Sequence, residues 1–366
     1  MLKGKATAEG TATFAKNHPK SHERHWKQAL GLTLSSIGMG SYLGNADPIT
    51  DGKYMAAVVK ALEVGINVLD SAINYRYQRS ERNLGAGLKK AIESGAAARD
   101  QVLICTKGGF VAGDFGPPTR EWFETTLVKP GVLTAADIVA GAHCMTPKYL
   151  RHEVDQSRAN FDVETLDVYY VHNPETQMPE VGETEFYARL TAAFRELEAC
   201  ADEGKIQVYG VATWHAFRVA PAHESYLSLE KTLACAEAAG GKNHRFRAVQ
   251  FPFNFGLPEA LTQATQEVGE KSSGVIEAAR DAGLAVFTSV PLMQGQLLGR
   301  FAPEFKAKFP GLKTDAQRCL QFVRSTPGVV APLCGMKDLA HVEENGAVCA
   351  AAPFTTEEFN ALIGRG

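Results

Sequence analysis

The 366-residue chain contains no apolar run approaching the ~18 residues that cross a bilayer, so no membrane partner is expected. Its N-terminus lacks the apolar stretch of a secretory leader. Residues 1–27 are mildly basic and read as a polar arm lying on the surface. Basic charge is not in excess either: 38 Lys and Arg face 41 Asp and Glu, which disfavours nucleic acid as a partner. No Cys-x-x-Cys occurs. The seven cysteines, at 105, 144, 200, 235, 319, 334 and 349, are odd in number and not at metal-ligand spacing. They argue for a reducing, cytoplasmic setting with no metal centre and no disulfide scaffold. No Gly-x-Gly-x-x-Gly follows the first strand candidate, which argues against an open dinucleotide-binding sheet.

What is present is a repeated strand-then-helix rhythm. Short apolar runs at Ser35–Met39, Ile66–Asp70, Val102–Thr106, Leu166–Val171, Ile206–Ala212, Phe246–Phe251, Leu284–Val290 and Val329–Cys334 suit strands covered on both faces. Helical stripes lie between them: Met55, Val58, Val59 and Leu62 before Gly65, Leu84 to Ile92 before Gly95, and Phe186 to Leu197 before Gly204. Eight such units close most simply into an α/β fold of the (β/α)8 TIM-barrel type over residues 31–350. Residues 1–30 are then an N-terminal extension, and 351–366 a short C-terminal tail. Residues 109–147 become an inserted lid and 252–272 a second long loop, both expected at the mouth of the barrel.

Polar residues at the C-terminal ends of barrel strands point into the mouth. Here they are Asp70, Lys107, His172, Gln250 and Ser289. Tyr75 follows Asp70 closely enough to curl back over the barrel axis. A free phenol, with a pKa of about 10, is a weak acid at neutral pH. An adjacent lysine ammonium is expected to lower that pKa. Asp70 would keep Lys107 charged, and a neutral His172 would orient a substrate carbonyl. The set suits carbonyl reduction: hydride to carbon, proton from Tyr75 to oxygen. The basic cluster Arg76, Arg79 and Arg82 reads as a solvated turn or as an attractor of anions. His143 and Cys144 read as lid packing.

Taken together, Ser36-Ile37-Gly38-Met39-Gly40-Ser41-Tyr42-Leu43-Gly44, Gly65 through Tyr75 with Glu81 and Gly85, Lys107, His172, Gln250, Pro291 through Leu297, and Gly335 through Asn345 make the chain resemble the aldo-keto reductase family over roughly residues 26–350. The resemblance implies a catalytic tetrad of Asp70, Tyr75, Lys107 and His172. It implies NADPH/NADP+ as cofactor, with NADH as the other possibility, and a small-molecule carbonyl substrate. By position, Gly40, Ser41, Tyr42 and Asp70 look like the nicotinamide-ribose wall, and Gln250 like the carboxamide contact. Leu292, Gln294, Gly295 and Leu297 look like the belt over the pyrophosphate. Gly335, Lys337, Glu344 and Asn345 look like the adenosine end.

Several positions depart from the family's pattern. The turn after Tyr75 is two residues longer, with Arg76 to Ser80 before Glu81, which keeps Tyr77 as a second candidate acid. Ala212-Thr213 replaces the usual Ser-Asn pair, leaving Thr213 as the carboxamide contact. Ser289 stands where an aromatic often stacks on the nicotinamide. Trp214 either takes over that stacking or packs in a core or substrate pocket. Two other readings of the chain remain at this point: a barrel aldolase with Lys107 as Schiff-base nucleophile, and a nucleotide-bound regulatory or redox-sensing subunit. Substrate identity and oligomeric state are not readable.

Overall fold

The computed structural model describes residues 1–364; residues 365 and 366 of the expected tail lie outside the described residues. Eight parallel strands pair in chain order and close on themselves. They are β1 (Gly38–Gly40), β2 (Val68–Asp70), β3 (Leu103–Gly108), β4 (Leu166–His172), β5 (Ile206–Ala212), β6 (Phe246–Pro252), β7 (Ala285–Ser289) and β8 (Val329–Gly335). Each is followed by a helix: α1 (Pro48–Glu63), α2 (Arg79–Glu93), α3 (Pro147–Phe161), α4 (Glu183–Asp202), α5 (Leu229–Gly240), α6 (Val275–Asp281), α7 (Asp315–Ser325) and α8 (Leu339–Gly346). This is a (β/α)8 barrel.

The two-residue period of a strand decides which side chains face the axis. Along β4, Val168 and Tyr170 join the interior layer, whereas Tyr169 and Val171 pack outward against the helices. His172 therefore falls on the axis side, at the open end. The same alternation aims Asp70 inward beyond Val68, Lys107 beyond Leu103 and Cys105, and Gln250 beyond Ala248. The outer layer sits on helical stripes such as Phe186, Leu190, Phe194 and Leu197 of α4. Each fully buried side chain of this kind contributes roughly 1.5–3 kcal/mol.

The N-terminal segment is not a polar surface arm. It forms a helix (Ala8–Lys16) and an antiparallel hairpin (Trp26–Ala29 with Leu32–Ser35). Leu32 and Leu34 join the interior layer, and Phe14 is 1% exposed. An uncovered lower end would leave Val68, Leu103 and Ala331 wet, so burying that surface drives the docking. Five of the six basic residues that suggested an arm face outward, Lys27 being partly buried, but the apolar ones between them carry the packing. The hairpin also takes Ser35, so the first barrel strand starts at Gly38 rather than Ser35.

Of the two long loops, 109–147 folds around its own apolar cluster of Leu127, Leu133, Cys144 and Tyr149. The second turns into a small hairpin (Gln266–Val268 with Lys271–Ser273). Gln266 lashes it to the main chain of Phe217 and Leu227. The C-terminal residues Phe354 and Thr356 lie at the lower end, lining a groove with Lys27 and Gly31, away from the mouth.

Candidate active site

A cleft of about 660 Å³ crosses the C-terminal ends of the strands, within the size range of small-molecule sites. Asp70, Tyr75 and His172 line it, and Lys107 lies just beneath at 1% exposure. Lys107 Nζ donates to Asp70 Oδ1 (2.6 Å) and to the main-chain oxygen of Ser71 (2.7 Å). Gln250 Nε2 donates to the second oxygen, Asp70 Oδ2, at 2.9 Å. Both carboxylate oxygens are thus engaged. Burial pulls the Lys107 pKa down, but Asp70 and the Tyr75 phenol outweigh it and hold the ammonium above its ordinary value.

Tyr75 packs edge-on against Tyr42 (centroids 5.0 Å apart) and His172 (5.8 Å), with Lys107 Nζ 5.0 Å from its ring centre. The expected fall in its pKa does not occur. Burial pushes the phenol up and prevails over Lys107, which works downward. Burial, then Lys107, keep the His172 imidazole neutral, well below its ordinary pKa. Its Nδ1 has no hydrogen-bond partner among the described residues.

The longer turn after Tyr75 accounts for its own extra residues. Arg76, Tyr77 and Gln78 are all left-handed, with φ of 51°, 56° and 68°, a conformation that costs about 1–2 kcal/mol per residue. Arg76 offsets this by bonding Asn45 O (2.8 Å) and Asp51 (2.6 Å). Gln78 bonds the main chain of Gly113. Tyr77 does not line the cleft. The basic cluster is engaged by carboxylates, with Arg76 buried and Arg82 partly exposed. Arg76 and Arg79 share Asp51, and Arg82 pairs with Asp114.

Of the residues expected to meet a cofactor, Gly40, Ser41, Tyr42, Asp70, Thr213, Gln250, Leu292, Gln294, Gly295, Gly335, Lys337, Glu344 and Asn345 line this one cleft. Leu297 does not. It turns toward Gly256, and Leu298 occupies the wall instead. The Ser41 hydroxyl is consumed internally by Asp70 O and Ser71 Oγ. Thr213 Oγ1 and Asn345 Oδ1 are buried and unpartnered among the described residues, near opposite ends of the expected cofactor path. Such orphaned atoms in a cleft fit a polar ligand spanning it.

The lid gives the cleft Phe110 alone, and residues 252–272 give it nothing, against the expectation that both build the mouth. His143 is structural. Its Nε2–H donates to His172 O (2.8 Å), which leaves Nδ1 to accept from Gln177 Nε2 (3.0 Å). Burial lowers its pKa to about 4, so it stays neutral. No grouping of three potential metal ligands exists among the described residues. Trp214 is 48% exposed at the rim, so it is not a core residue.

Sequence reading missed Phe110, Asn74 and Leu298 on the walls. It also missed two buried glutamates behind them. Glu153, on α3, accepts from Gly109 N (2.6 Å) and from Tyr149 Oη (2.6 Å). Helical spacing from Tyr149 and Leu150 marks it as inward-facing. Glu175 accepts from Trp214 N (2.7 Å); nothing in its sequence neighbourhood signals that.

The Aldo/keto reductase family model matches residues 36–316. Among curated relatives, the chain is 25% identical over 187 residues to D-threo-aldose 1-dehydrogenase of a Pseudomonas species, half of this chain and 52% of that protein. It is 25% identical over 186 residues to the NADH-specific methylglyoxal reductase of Escherichia coli (strain K12), half of this chain and 49% of that protein. The matches span about half the length of these relatives. Among solved structures, aldo-keto reductase AKR11C1 from Bacillus halodurans superposes with a TM-score of 0.63 at 17% identity, covering 94% of this chain and 96% of that one. An aldo/keto reductase from Klebsiella pneumoniae, solved with NADP and acetate, gives 0.62 at 17% identity, with 93% and 94% covered. At such identities the superpositions speak for the barrel alone.

Proposed function

We propose that this chain, which belongs to the aldo/keto reductase family, reduces an aldehyde or ketone with a nicotinamide dinucleotide, Tyr75 giving the proton to oxygen. The observation that carries this is the convergence at one cleft wall of Asp70, Tyr75, Lys107 and His172 from three different strand ends. When bound, the nicotinamide supplies hydride to the carbonyl carbon. The neutral His172 imidazole orients the substrate carbonyl. A high phenol pKa means that Tyr75 holds its proton throughout the neutral range. An alkoxide is far more basic still, so transfer runs from phenol to alkoxide. The ammonium of Lys107, locked by Asp70, stabilises the resulting phenolate.

Thr213 and Gln250 would hold the carboxamide end, Leu292 to Gly295 the pyrophosphate, and Glu344 and Asn345 the adenine. Lys337 would meet a 2′-phosphate, which favours NADPH. Its partner Asp338 lies 3.8 Å away and is engaged more closely by Lys53 at 2.6 Å, leaving Lys337 loosely held. The Klebsiella protein was solved with NADP and the E. coli relative is NADH-specific, so both nucleotides belong in the test. A Schiff-base aldolase needs a neutral, accessible amine, and Lys107 is charged, buried and doubly bonded.

The test is fluorescence titration with NADPH and NADH, then turnover on a panel of neutral aldehydes and ketones. Tighter NADPH binding, with turnover lowered about 10²–10⁴-fold in Tyr75→Phe, is the expected result. Nucleotide binding without turnover on any carbonyl would replace the reductase with a regulatory, nucleotide-loaded subunit. Failure to bind either nucleotide would remove the cofactor assignment altogether.

A further inference from the structure

Three loops at the mouth are joined by a chain of charges that the proposed reaction does not use. Beyond β4, Asn173 turns the backbone with φ of 44°. Glu175 follows, 3% exposed. Its Oε1 accepts the main-chain N–H of Trp214, in the loop after β5. The carbonyl of Trp214 accepts from Arg218 Nη2 at 2.9 Å. Arg218, 7% exposed, pairs through Nη1 with Glu259 Oε2 at 2.7 Å, in the loop after β6. The peptide groups on both sides of Trp214 are thus held by buried charged groups, while the indole stands half-exposed on the cleft wall.

Burying a carboxylate is costly unless it is paired and hydrogen-bonded. The main-chain N–H groups of His215 and Ala216, beyond that of Trp214, also favour the charged form of Glu175. A neutral amide could accept the Trp214 N–H with less desolvation, but N–H groups from Trp214, His215 and Ala216 together favour a charged acceptor at the start of this loop. Such an acceptor holds an exposed aromatic at a fixed place on a rim. An indole in solvent has little packing of its own to fix its backbone, and two charge-assisted bonds supply what packing lacks.

We propose that Glu175 is a positioning residue for Trp214. With the Arg218–Glu259 pair it fixes the main chain of the residue whose indole walls the substrate end of the cleft. Burial raises the Glu175 pKa to about 7, against the main-chain bonds that favour its charge. The grip on Trp214 therefore strengthens as pH rises through neutrality. The charged and titratable groups around it are Arg218 with Glu259 behind it, His215 beside Trp214, and His172 on its own segment. The kinetic consequence rests on the reductase reading; the structural one does not.

The experiment is fluorine NMR of the full chain labelled with 5-fluorotryptophan. Trp26, Trp122 and Trp214 give three resonances, and Trp214→Phe assigns the third. In Glu175→Ala the Trp214 resonance should move and narrow as the loop loosens, with the other two unmoved. KM for a neutral aldehyde should rise about tenfold with kcat and cofactor affinity held. In wild type the Trp214 resonance should titrate between pH 6 and 8, and in Glu175→Gln it should not. An unmoved Trp214 resonance in Glu175→Ala overturns the proposal. So does a titration that persists in Glu175→Gln, because it then belongs to a group other than Glu175. If Glu175→Ala does not fold, the Gln comparison decides alone. If wild type turns over no carbonyl, the reductase reading fails while the fluorine spectra still judge Glu175.

Discussion

Residues 109–147 and 213–218 leave the same rim of the barrel, after β3 and β5. The longer stretch builds a private apolar cluster around Leu127 and Leu133, yet presents only Phe110 to the cleft. The shorter one presents Thr213 and Trp214. Both are tied near their start by a buried glutamate that accepts a main-chain N–H, Glu153 for Gly109 and Glu175 for Trp214. A long loop must bury apolar side chains to offset the entropy of ordering it. The lid's apolar residues, Leu127, Leu133, Val128 and Ile138 among them, serve that end. What a loop offers the site depends on where it is tethered, and length is a poor guide to it.

That contrast can be broken at its heaviest point with Leu127→Ala. Leu127 is 1% exposed, and truncation should cost the lid about 2–4 kcal/mol. Limited proteolysis should then nick the lid while nucleotide affinity holds. A matching loss of affinity would show the lid to be part of the site. Gly109→Ala strikes the tether instead. Gly109 has φ of +139°, and a Cβ there would sit 2.8 Å from His143 Nε2, which holds the His172 carbonyl. Destabilisation of about 1–3 kcal/mol is expected. Because His172 is disturbed, kcat should fall here and not in Leu127→Ala, as steady-state kinetics will tell.

Glu153→Gln sharpens the comparison through pH. Burial raises the Glu153 pKa from 4.5 to about 8, against bonds from Tyr149 and Gly109; Glu81 adds to the rise. A raised folded pKa gives stability that is whole below pH 4.5 and is lost as pH climbs through 8. The slope is at most about 1.4 kcal/mol per pH unit. The difference between the Tm–pH curves of wild type and Glu153→Gln isolates it. Glutamine can serve both partners, its oxygen taking Gly109 N–H and its amide donating to Tyr149, whose proton turns to Phe110 O at 3.1 Å. The smallest effect belongs to the lid tip. Arg82 lies 4.4 Å over Phe115 and 2.6 Å from Asp114, and these contacts are partly exposed. Arg82→Ala should lower stability by less than about 1 kcal/mol with kinetics unchanged.

The barrel was legible because the strands read as continuous apolar runs at regular spacing, several of them closing on a polar residue that strand parity carries inward. Asp70, Lys107 and His172 could be placed together on that ground alone. The hairpin was not legible, since Leu32 and Leu34 alternate with polar residues over too few positions to stand apart from the first barrel strand. The pKa of Tyr75 went the other way because desolvation depends on how many atoms surround a ring, and no residue spacing records that. Leu297 and Leu298 were confused because a single residue of phase in a turn decides which of two leucines meets the cleft. Glu175 was invisible for a related reason: its partner lies 39 residues away, across a strand boundary.

The seal at the lower end has a consequence for how the protein is made. Residues 1–35 are made before the groups that seat them: Asp100 for Thr7, Asp167 for Ala6, and Cys349 for His22. At ~5–20 residues per second, this segment waits on the order of tens of seconds for the last of these. Manufacture and assembly therefore run in opposite orders, and the nascent chain carries Leu32 and Leu34 incompletely covered until Ala331 and Leu333 of β8 have been made.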